Sequence, residues 1–329
     1  MSQLALYLLG PPRLELDGIP VRIPRRKAMA LLAYLAVTGQ RHSRDSLAAL
    51  LWPESDQSRS RGGLRRMLSE LNSTLGDGWL QTDRETACLN TQNNRSKGHS
   101  FWLDVAEFQG KLKICDSHKH PSNEACPDCL PALGEAVALY KDDFMAGFSL
   151  KDCREFDEWQ FFQADESGRK FASVLKHLSG YYQTTGAFEP SIEYARRWLE
   201  LDRLNEAAHR QLMALYAENG QRTAAFRQYG ECVRILDTEL GVAPDPETDR
   251  TYRRIRKGEL GGPHEDSLAK PWFDRSARHN LPAELSSFIG RASEITQIKG
   301  LVTSHRLVTL TGPGGVGKTR LALQVAQSV

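Results

Sequence analysis

The sequence predicts a mainly α chain in three parts: an N-terminal winged helix-turn-helix, a tetratricopeptide-like helical domain, and a C-terminal phosphate-loop stub. Three observations predict it. Short apolar strands, three helical patterns and a closing hairpin follow one another within residues 1–92. A repeat with a shift of 34 residues runs through the second region, and a Gly-rich loop motif stands near the end of the chain.

In the first part, "LALYLL", "RLEL" and "VRI" are strand-like runs separated by Gly-Pro-Pro and Asp-Gly turn signals. "RRKAMALLAYLAVTG" is apolar at helical spacing and stops at Gly39. "HSRDSLAALLWP" reads as a second helix with Ser43 as N-cap and Pro53 beyond its end. The third helix, "QSRSRGGLRRMLSELNSTLG", aligns Leu64, Met67, Leu68, Leu71 and Leu75 on one stripe and ends at Gly76. "WLQTDRETACLNT" closes the region as two strands around a turn near Asp83–Glu85.

Residues 93–260 read as helical. "YYQTTGAFEPSIEYARRWLELD" aligns with "LYAENGQRTAAFRQYGECVRIL" so that Tyr182 falls on Tyr216 and Gly186 on Gly220, 34 residues apart. That is the period of tetratricopeptide helix pairs, which bury their apolar faces only by stacking on neighbours. Residues 261–282 read as a linker, and 283–329 as the start of a phosphate-loop domain: a helix in "SFIGRASEITQIKGLV", a strand in "RLVTL", then the loop.

Composition narrows the function. The 329 residues are 26% charged and 40% hydrophobic, an ordinary globular balance, with a net charge of only +2. The distribution is more informative. Ten basic residues between Arg22 and Arg66 face three acids, a local excess of +7. The longest apolar run, Ala28–Val37, is half of the roughly 20 residues needed to span a bilayer. No secretory signal is visible, so a cytoplasmic location without a membrane partner is expected.

On a helical wheel the apolar stripe of the third helix points to the core. Arg59, Arg66 and Ser69 lie opposite, with Arg65 on the flank and Arg61 nearer the core edge. Arg44 at the start of the second helix and Arg84 in the hairpin turn join this set as candidate DNA contacts. Arginine forks read guanine edges or clamp phosphates, and a basic face has most to gain where a polyanion releases counterions. Gly62 and Gly63 each cost about 1 kcal/mol relative to Ala inside a helix. Gly62 falls on the exposed side, where a missing side chain permits close approach to a sugar-phosphate backbone.

"RIPRRKAMALLAYLAVTGQRHSRDSLAALLWPESDQSRSRGGLRRMLSEL" resembles the winged-helix domain of bacterial SARP-type regulators. "FWLDVAEFQ", "LGEAVALYKDDFMAGFSL", "FDEWQ" and "LDRLNEAAHRQLMALYAENGQRTAAFRQYGECVRIL" resemble their bacterial transcriptional activator domain. "LPAELSSFIGRASEI" and "RLVTLTGPGGVGKTRLAL" resemble the entry to the signal-transducing ATPase module of longer members. The resemblance implies an OmpR-like winged helix whose third helix, residues 57–75, reads the major groove of promoter DNA, with the wing around Asp83–Thr86. It implies an activator domain that supports a homodimer and contacts RNA polymerase. The chain departs from its relatives at "SRGG", where Ala or Asn is usual.

Two further clusters carry chemistry. Within the segment 113–130, Cys115, His118, His120, Cys126 and Cys129 offer five candidates for the four ligands of a structural zinc ion. Pro127 stiffens the Cys-x-x-Cys turn, and a cytoplasmic setting disfavours a disulfide. Catalytic zinc is not expected, since no general base accompanies the cluster. Gly312, Gly315, Gly317, Lys318 and Thr319 form a phosphate loop in which Lys318 would reach β/γ oxygens and Thr319 would ligate magnesium. Hydrolysis also needs an acidic residue on a further strand, and only ten residues follow Thr319, so ATP and magnesium are expected only with a completed domain. The expectation is a sequence-specific transcriptional activator that is not an enzyme. The alternatives are the N-terminal part of a signalling ATPase and a protein-binding helical adaptor.

Overall fold

The structure is a computed structural model that describes residues 2–91, 99–116, 125–261, 292–305, 308–311 and 318–326. Strand β1 (Ser2–Tyr7) runs into Gly10-Pro11-Pro12, and the chain returns antiparallel as β2 (Arg13–Leu16). Asp17 and Gly18, both at positive φ, then turn it into β3 (Ile19–Val21) with Leu16 opposite Ile19. A two-residue Asp-Gly loop suits this hairpin because both central residues must adopt left-handed backbone.

Helix α1 (Arg26–Thr38) buries nearly every apolar side chain from Ala28 to Ala36 and ends where Gly39 takes φ 60° and donates to Leu35. A two-residue strand β4 (His42–Ser43), absent from the sequence expectation, leads into α2 (Arg44–Leu51). Helix α3 (Gln57–Leu75) follows, then β5 (Leu80–Thr82) and β6 (Thr86–Leu89), which pair with β4 in the order β4-β6-β5.

The expectation that residues 93–260 are wholly helical fails at one place. His99–Leu103 form strand β7, which lies parallel to β1 and completes the sheet β3-β2-β1-β7. Its five residues include Phe101 and Trp102, good strand formers, but a parallel partner so distant in sequence is a tertiary choice that local periodicity does not encode.

Seven helices follow: α4 (Asp104–Asp116), α5 (Leu130–Leu139), α6 (Arg154–Thr184), α7 (Phe188–Leu201), α8 (Glu206–Glu218), α9 (Arg222–Leu240) and α10 (Pro246–Lys257). The repeat survives at the level of single hydrogen bonds. Gly186 has φ 74°, its amide donates to Gln183 and the next amide donates to Tyr182. Gly220 has φ 73°, with the same two bonds to Ala217 and Tyr216, each 34 residues on. The two hairpins, α6–α7 and α8–α9, therefore turn by one geometry.

One core joins the winged helix to these helices. It runs from Leu4, Leu31, Leu51 and Leu71 to Phe108, Phe156 and Phe171. Tyr34 of α1 meets Trp159 of α6 edge to face at 5.0 Å. The Leu51 carbonyl at the end of α2 accepts from Lys27 Nζ and from Cys153 Sγ, tying the helix end to the start of α6. Asp104, almost fully buried, accepts from the Leu8 and Leu9 amides at 2.7 and 2.8 Å and from Val105, fastening β1 to the start of α4.

Residues 265–329 form a separate unit, described by itself. It contains α11 (Ala292–Ser304) and α12 (Lys318–Ala326), whose Leu321 and Val325 are buried. The expected strand over 306–310 is not seen among the described residues, since Val308–Leu310 carry no strand pairing. The expected linker and the start of the expected helix at Ser287 lie largely outside the described residues.

Candidate nucleic-acid interface

The interface is set by three local devices. Ser43 caps α2 by accepting from the Ser46 amide at 3.0 Å, and Asp56 caps α3 by accepting from the Arg59 amide at 2.9 Å. Each cap satisfies an amide that the first helical turn leaves unbonded. Burial of Leu47, Leu50 and Leu51 against Leu64, Met67, Leu68 and Leu71 then fixes α3 across α2. At roughly 1.5–3 kcal/mol per buried side chain, this seam outweighs the cost of the two glycines.

Those glycines differ in purpose. A Cβ on Gly63 would meet the Trp52 ring at 3.1–3.2 Å, so the absent side chain makes room for Trp52. A Cβ on Gly62 would meet nothing within 4 Å and would project into the open groove beside α3.

The third device is the wing. Asp83 Oδ1 accepts from the amides of Glu85 and Thr86 at 2.8 and 2.7 Å, and its Oδ2 accepts from the Thr86 hydroxyl at 2.7 Å. Those bonds, the Thr86 hydroxyl foremost, pull its carboxyl down to about 2. The turn thus presents Arg84, exposed, at its tip.

Between the N-terminal half of α3 and the wing lies a groove of about 750 Å³ lined by Arg44, Arg61, Gly62, Arg65, Arg84 and Thr86, among others. An adjoining hollow shares Arg44 and Arg65 and adds Arg41 and Ser69. Five of the seven residues expected from sequence therefore converge: Arg44, Arg61, Arg65, Ser69 and Arg84. Arg61 belongs to this groove rather than to the core edge, its side chain 55% exposed.

Two expected residues do not join them. Arg59 stands at the first turn of α3, paired with Asp56 at 3.4 Å. Arg66 points to the other flank, into a hollow of about 560 Å³ shared with Arg25, Arg26, Lys27 and Lys151. Arg41 was missed by the helix-wheel reading because it lies outside every helix. It directly precedes β4, whose pairing with β6 brings it to the wing, where it bonds Asp83, Thr86 and Gln81. Its place in the local basic excess was the only signal.

The charges in the groove are not equivalent. Arg61 makes two parallel bonds to Asp45, Nε to Oδ1 and Nη2 to Oδ2, both at 2.5 Å, and this holds the Asp45 carboxyl below the usual carboxylate range. Arg41 is engaged by Asp83 at 2.9 Å. Arg44 has its Nε enclosed with no hydrogen-bond partner among the described residues. Arg65 and Arg84 are exposed and stand in no ion pair among the described residues.

Residues 103–256 match the bacterial transcriptional activator domain. The regulatory protein AfsR of Streptomyces griseus is 34% identical over 316 residues, covering 92% of this chain and 30% of AfsR. AfsR of Streptomyces coelicolor is 23% identical over 335 residues, covering 97% of this chain and 32% of AfsR. Residues 103–256 belong to that domain family, and the chain is similar along most of its length to the AfsR regulatory proteins. A solved structure of Mycobacterium tuberculosis EmbR, in complex with a low-affinity phosphopeptide, superposes with a TM-score of 0.60 at 18% identity. It covers 82% of this chain and 68% of EmbR, a likeness of fold. The chain spans about a third of the length of these curated relatives.

Two other expected sites are only partly described. Gly312, Gly315 and Gly317 lie outside the described residues; Lys318 and Thr319 open α12. His118 and His120 also lie outside them. Cys115 lies in the last turn of α4, while Cys126 precedes and Cys129 closes a single 3-10 turn, Pro127–Cys129, ahead of α5. Among the described residues no group of three or more His, Cys, Asp or Glu side chains could hold a metal ion, so Cys115, Cys126 and Cys129 do not by themselves form the expected zinc site. No helix among them is long and apolar enough to cross a membrane.

Proposed function

We propose that this chain binds promoter DNA sequence-specifically and activates transcription. Helix α3 enters the major groove from its N-terminal half, and the wing lies along the adjacent backbone. The observation that carries the reading is the convergence of Arg44, Arg61, Arg65 and Arg84 on one groove from three separate elements. Arg65 reads base edges, since it projects from the exposed face of α3. Arg84 on the wing and Arg44 at the start of α2 hold phosphates and set the register.

The repeated hairpins α6–α7 and α8–α9 are tetratricopeptide-like surfaces for protein contact, and RNA polymerase is their partner. A second copy of the chain is the other, giving a dimer that spans two half-sites. A DNA partner places the protein in the cytoplasm. ATP and magnesium are the ligands that the phosphate-loop motif ending in Lys318 and Thr319 would take as part of a complete nucleotide-binding module.

The test is recovery of bound genomic fragments at moderate salt, followed by titration of the recovered site. Arg65→Ala should flatten discrimination between the site and a scrambled duplex by about 1–3 kcal/mol. Arg84→Ala should weaken both duplexes alike and lower the salt slope by about 1. Equal binding of all duplexes by the wild-type chain would overturn the sequence-specific reading.

A further inference from the structure

Helix α3 has two flanks, and the groove beside the wing accounts for one of them. Arg65 and Arg66 are consecutive, so their side chains leave the helix about 100° apart. Arg65 faces the wing, and Arg66 opens into a separate hollow of about 560 Å³. Arg25 and Arg26 at the start of α1, Lys27, Trp52 after α2, and Lys151 in the loop ahead of α6 line that hollow with Arg66. Five cations thus face one space from α1, α3 and the loop, and no acid is among its described lining residues.

Two of the five build the wall. Arg26 Nε donates to the Ser149 carbonyl at 3.0 Å, and its guanidinium lies 4.8 Å from the centre of the Phe148 ring. Lys27 Nζ donates to the Leu51 carbonyl and stands 5.0 Å from the centre of the Trp52 ring. The Arg26 contacts fasten the loop at Phe148–Ser149 to the winged helix and hold Lys151 beside α3. Arg25 is paired with Glu70 at 3.0 Å. Arg66 and Lys151 are exposed and stand in no ion pair among the described residues. Like charges gathered around one hollow repel one another, and a bound anion relieves that repulsion.

Geometry selects the anion. The major groove is about 12 Å wide, and a helix with its side chains is about 10–12 Å across, so both flanks of a helix seated there face a sugar-phosphate backbone. The wing takes one backbone. We propose that the hollow holds a phosphate of the other, with Arg66 and Lys151 as its ligands. This rests on the reading that α3 enters the major groove. Lys151 lies within residues 103–256, the part that matches the activator domain. The activator domain therefore takes part in holding DNA, and the DNA-binding surface extends beyond the winged helix.

The test uses the full chain on its recovered DNA site, titrated across a salt series. Lys151→Ala is expected to weaken the site and a scrambled duplex alike and to lower the salt slope by about 1, with an unchanged melting temperature. Lys151→Arg should keep the wild-type slope. Duplexes carrying a single methylphosphonate, which removes one phosphate charge, locate the contact. One position on the backbone away from the wing should weaken the wild type and leave Lys151→Ala indifferent. A wild-type slope in Lys151→Ala, or equal sensitivity of both proteins to every methylphosphonate, overturns the site. Inorganic phosphate that raises the melting temperature of the DNA-free chain, with a slope untouched by Lys151→Ala, gives the hollow to a free anion and overturns it too. A wild-type chain that binds no duplex sinks the DNA reading and this inference together, whereas normal wild-type binding beside an indifferent Lys151→Ala sinks this inference alone.

Discussion

Arg61 on α3 and Asp45 on α2 are locked fork to fork, each nitrogen 2.5 Å from its own carboxylate oxygen. The pair lies on the groove proposed to face DNA, so Asp45 occupies an arginine that would otherwise meet phosphate. Exposed ion pairs add little to folding stability, and the consequence falls on binding. Asp45→Asn is expected to leave thermal stability unchanged, tighten DNA binding, and steepen its salt dependence by about one phosphate contact. Affinity measured across a salt series checks this; a shallower slope in the variant contradicts it.

The adjacent glycines separate folding from binding. Gly63→Leu drives a side chain into the Trp52 ring and is expected to destabilise the chain by about 1–3 kcal/mol. Gly62→Leu meets open space, gains helix propensity, and leaves the denaturation midpoint unchanged or higher. The same Gly62→Leu protein is expected to lose DNA affinity because the new side chain fills the groove. Denaturation and DNA titration of both variants give the comparison; equal loss in both assays for Gly62→Leu would remove the close-approach role.

The wing offers a test of the turn, in which loss of the Asp83 carboxylate also releases Arg41. Asp83→Ala removes three hydrogen bonds that shape the turn, although the hairpin strands remain paired from Leu80–Leu89 to Thr82–Ala87. Weaker DNA binding with an unchanged far-ultraviolet spectrum is expected, and Arg84→Ala added to it should cost little more, because a disordered tip no longer places Arg84. Fully additive effects of the two substitutions would show that the turn does not position the arginine.

Asp104 predicts a pH dependence of stability. Burial raises its carboxyl to about 6 from 3.8, against the pull of the Leu9, Leu8 and Val105 amides. The folded chain therefore binds a proton more tightly than the unfolded one, and stability falls as pH rises from about 4 to about 6 and then levels. The shift corresponds to roughly 3 kcal/mol. Asp104→Asn should flatten this fall and, at neutral pH, lose about 1–3 kcal/mol, because its amide nitrogen faces a backbone donor. Denaturant midpoints at both ends of the pH range provide the check.

Much of this was legible in the sequence. Ser43, Gly39 and Gly76 marked helix ends by residue type alone, and the leucine stripe oriented α3 before any coordinates. The 34-residue shift between Gly186 and Gly220 foretold two hairpins whose capping bonds repeat one for one. Each signal is local, carried by side-chain chemistry at a fixed spacing.

The remainder depended on contacts between distant residues. Which flank of α3 meets the wing and which meets the helical region separates Arg65 from Arg66, though they are neighbours on the chain. A helical wheel marks both as outward and cannot say what each faces. The pairing of β7 with β1, the arrival of Arg41 at the wing, and the capture of Arg61 by Asp45 likewise have no local signature. The sequence by itself determined the three helices of the winged region, several helix ends and the excess of positive charge, because propensity, capping and periodicity act over a few residues, whereas β4 and β7 were missed. Only the tertiary structure decided which arginines share a groove and which are already engaged, because burial of the common core sets the angles between the helices and with them every distance across the site.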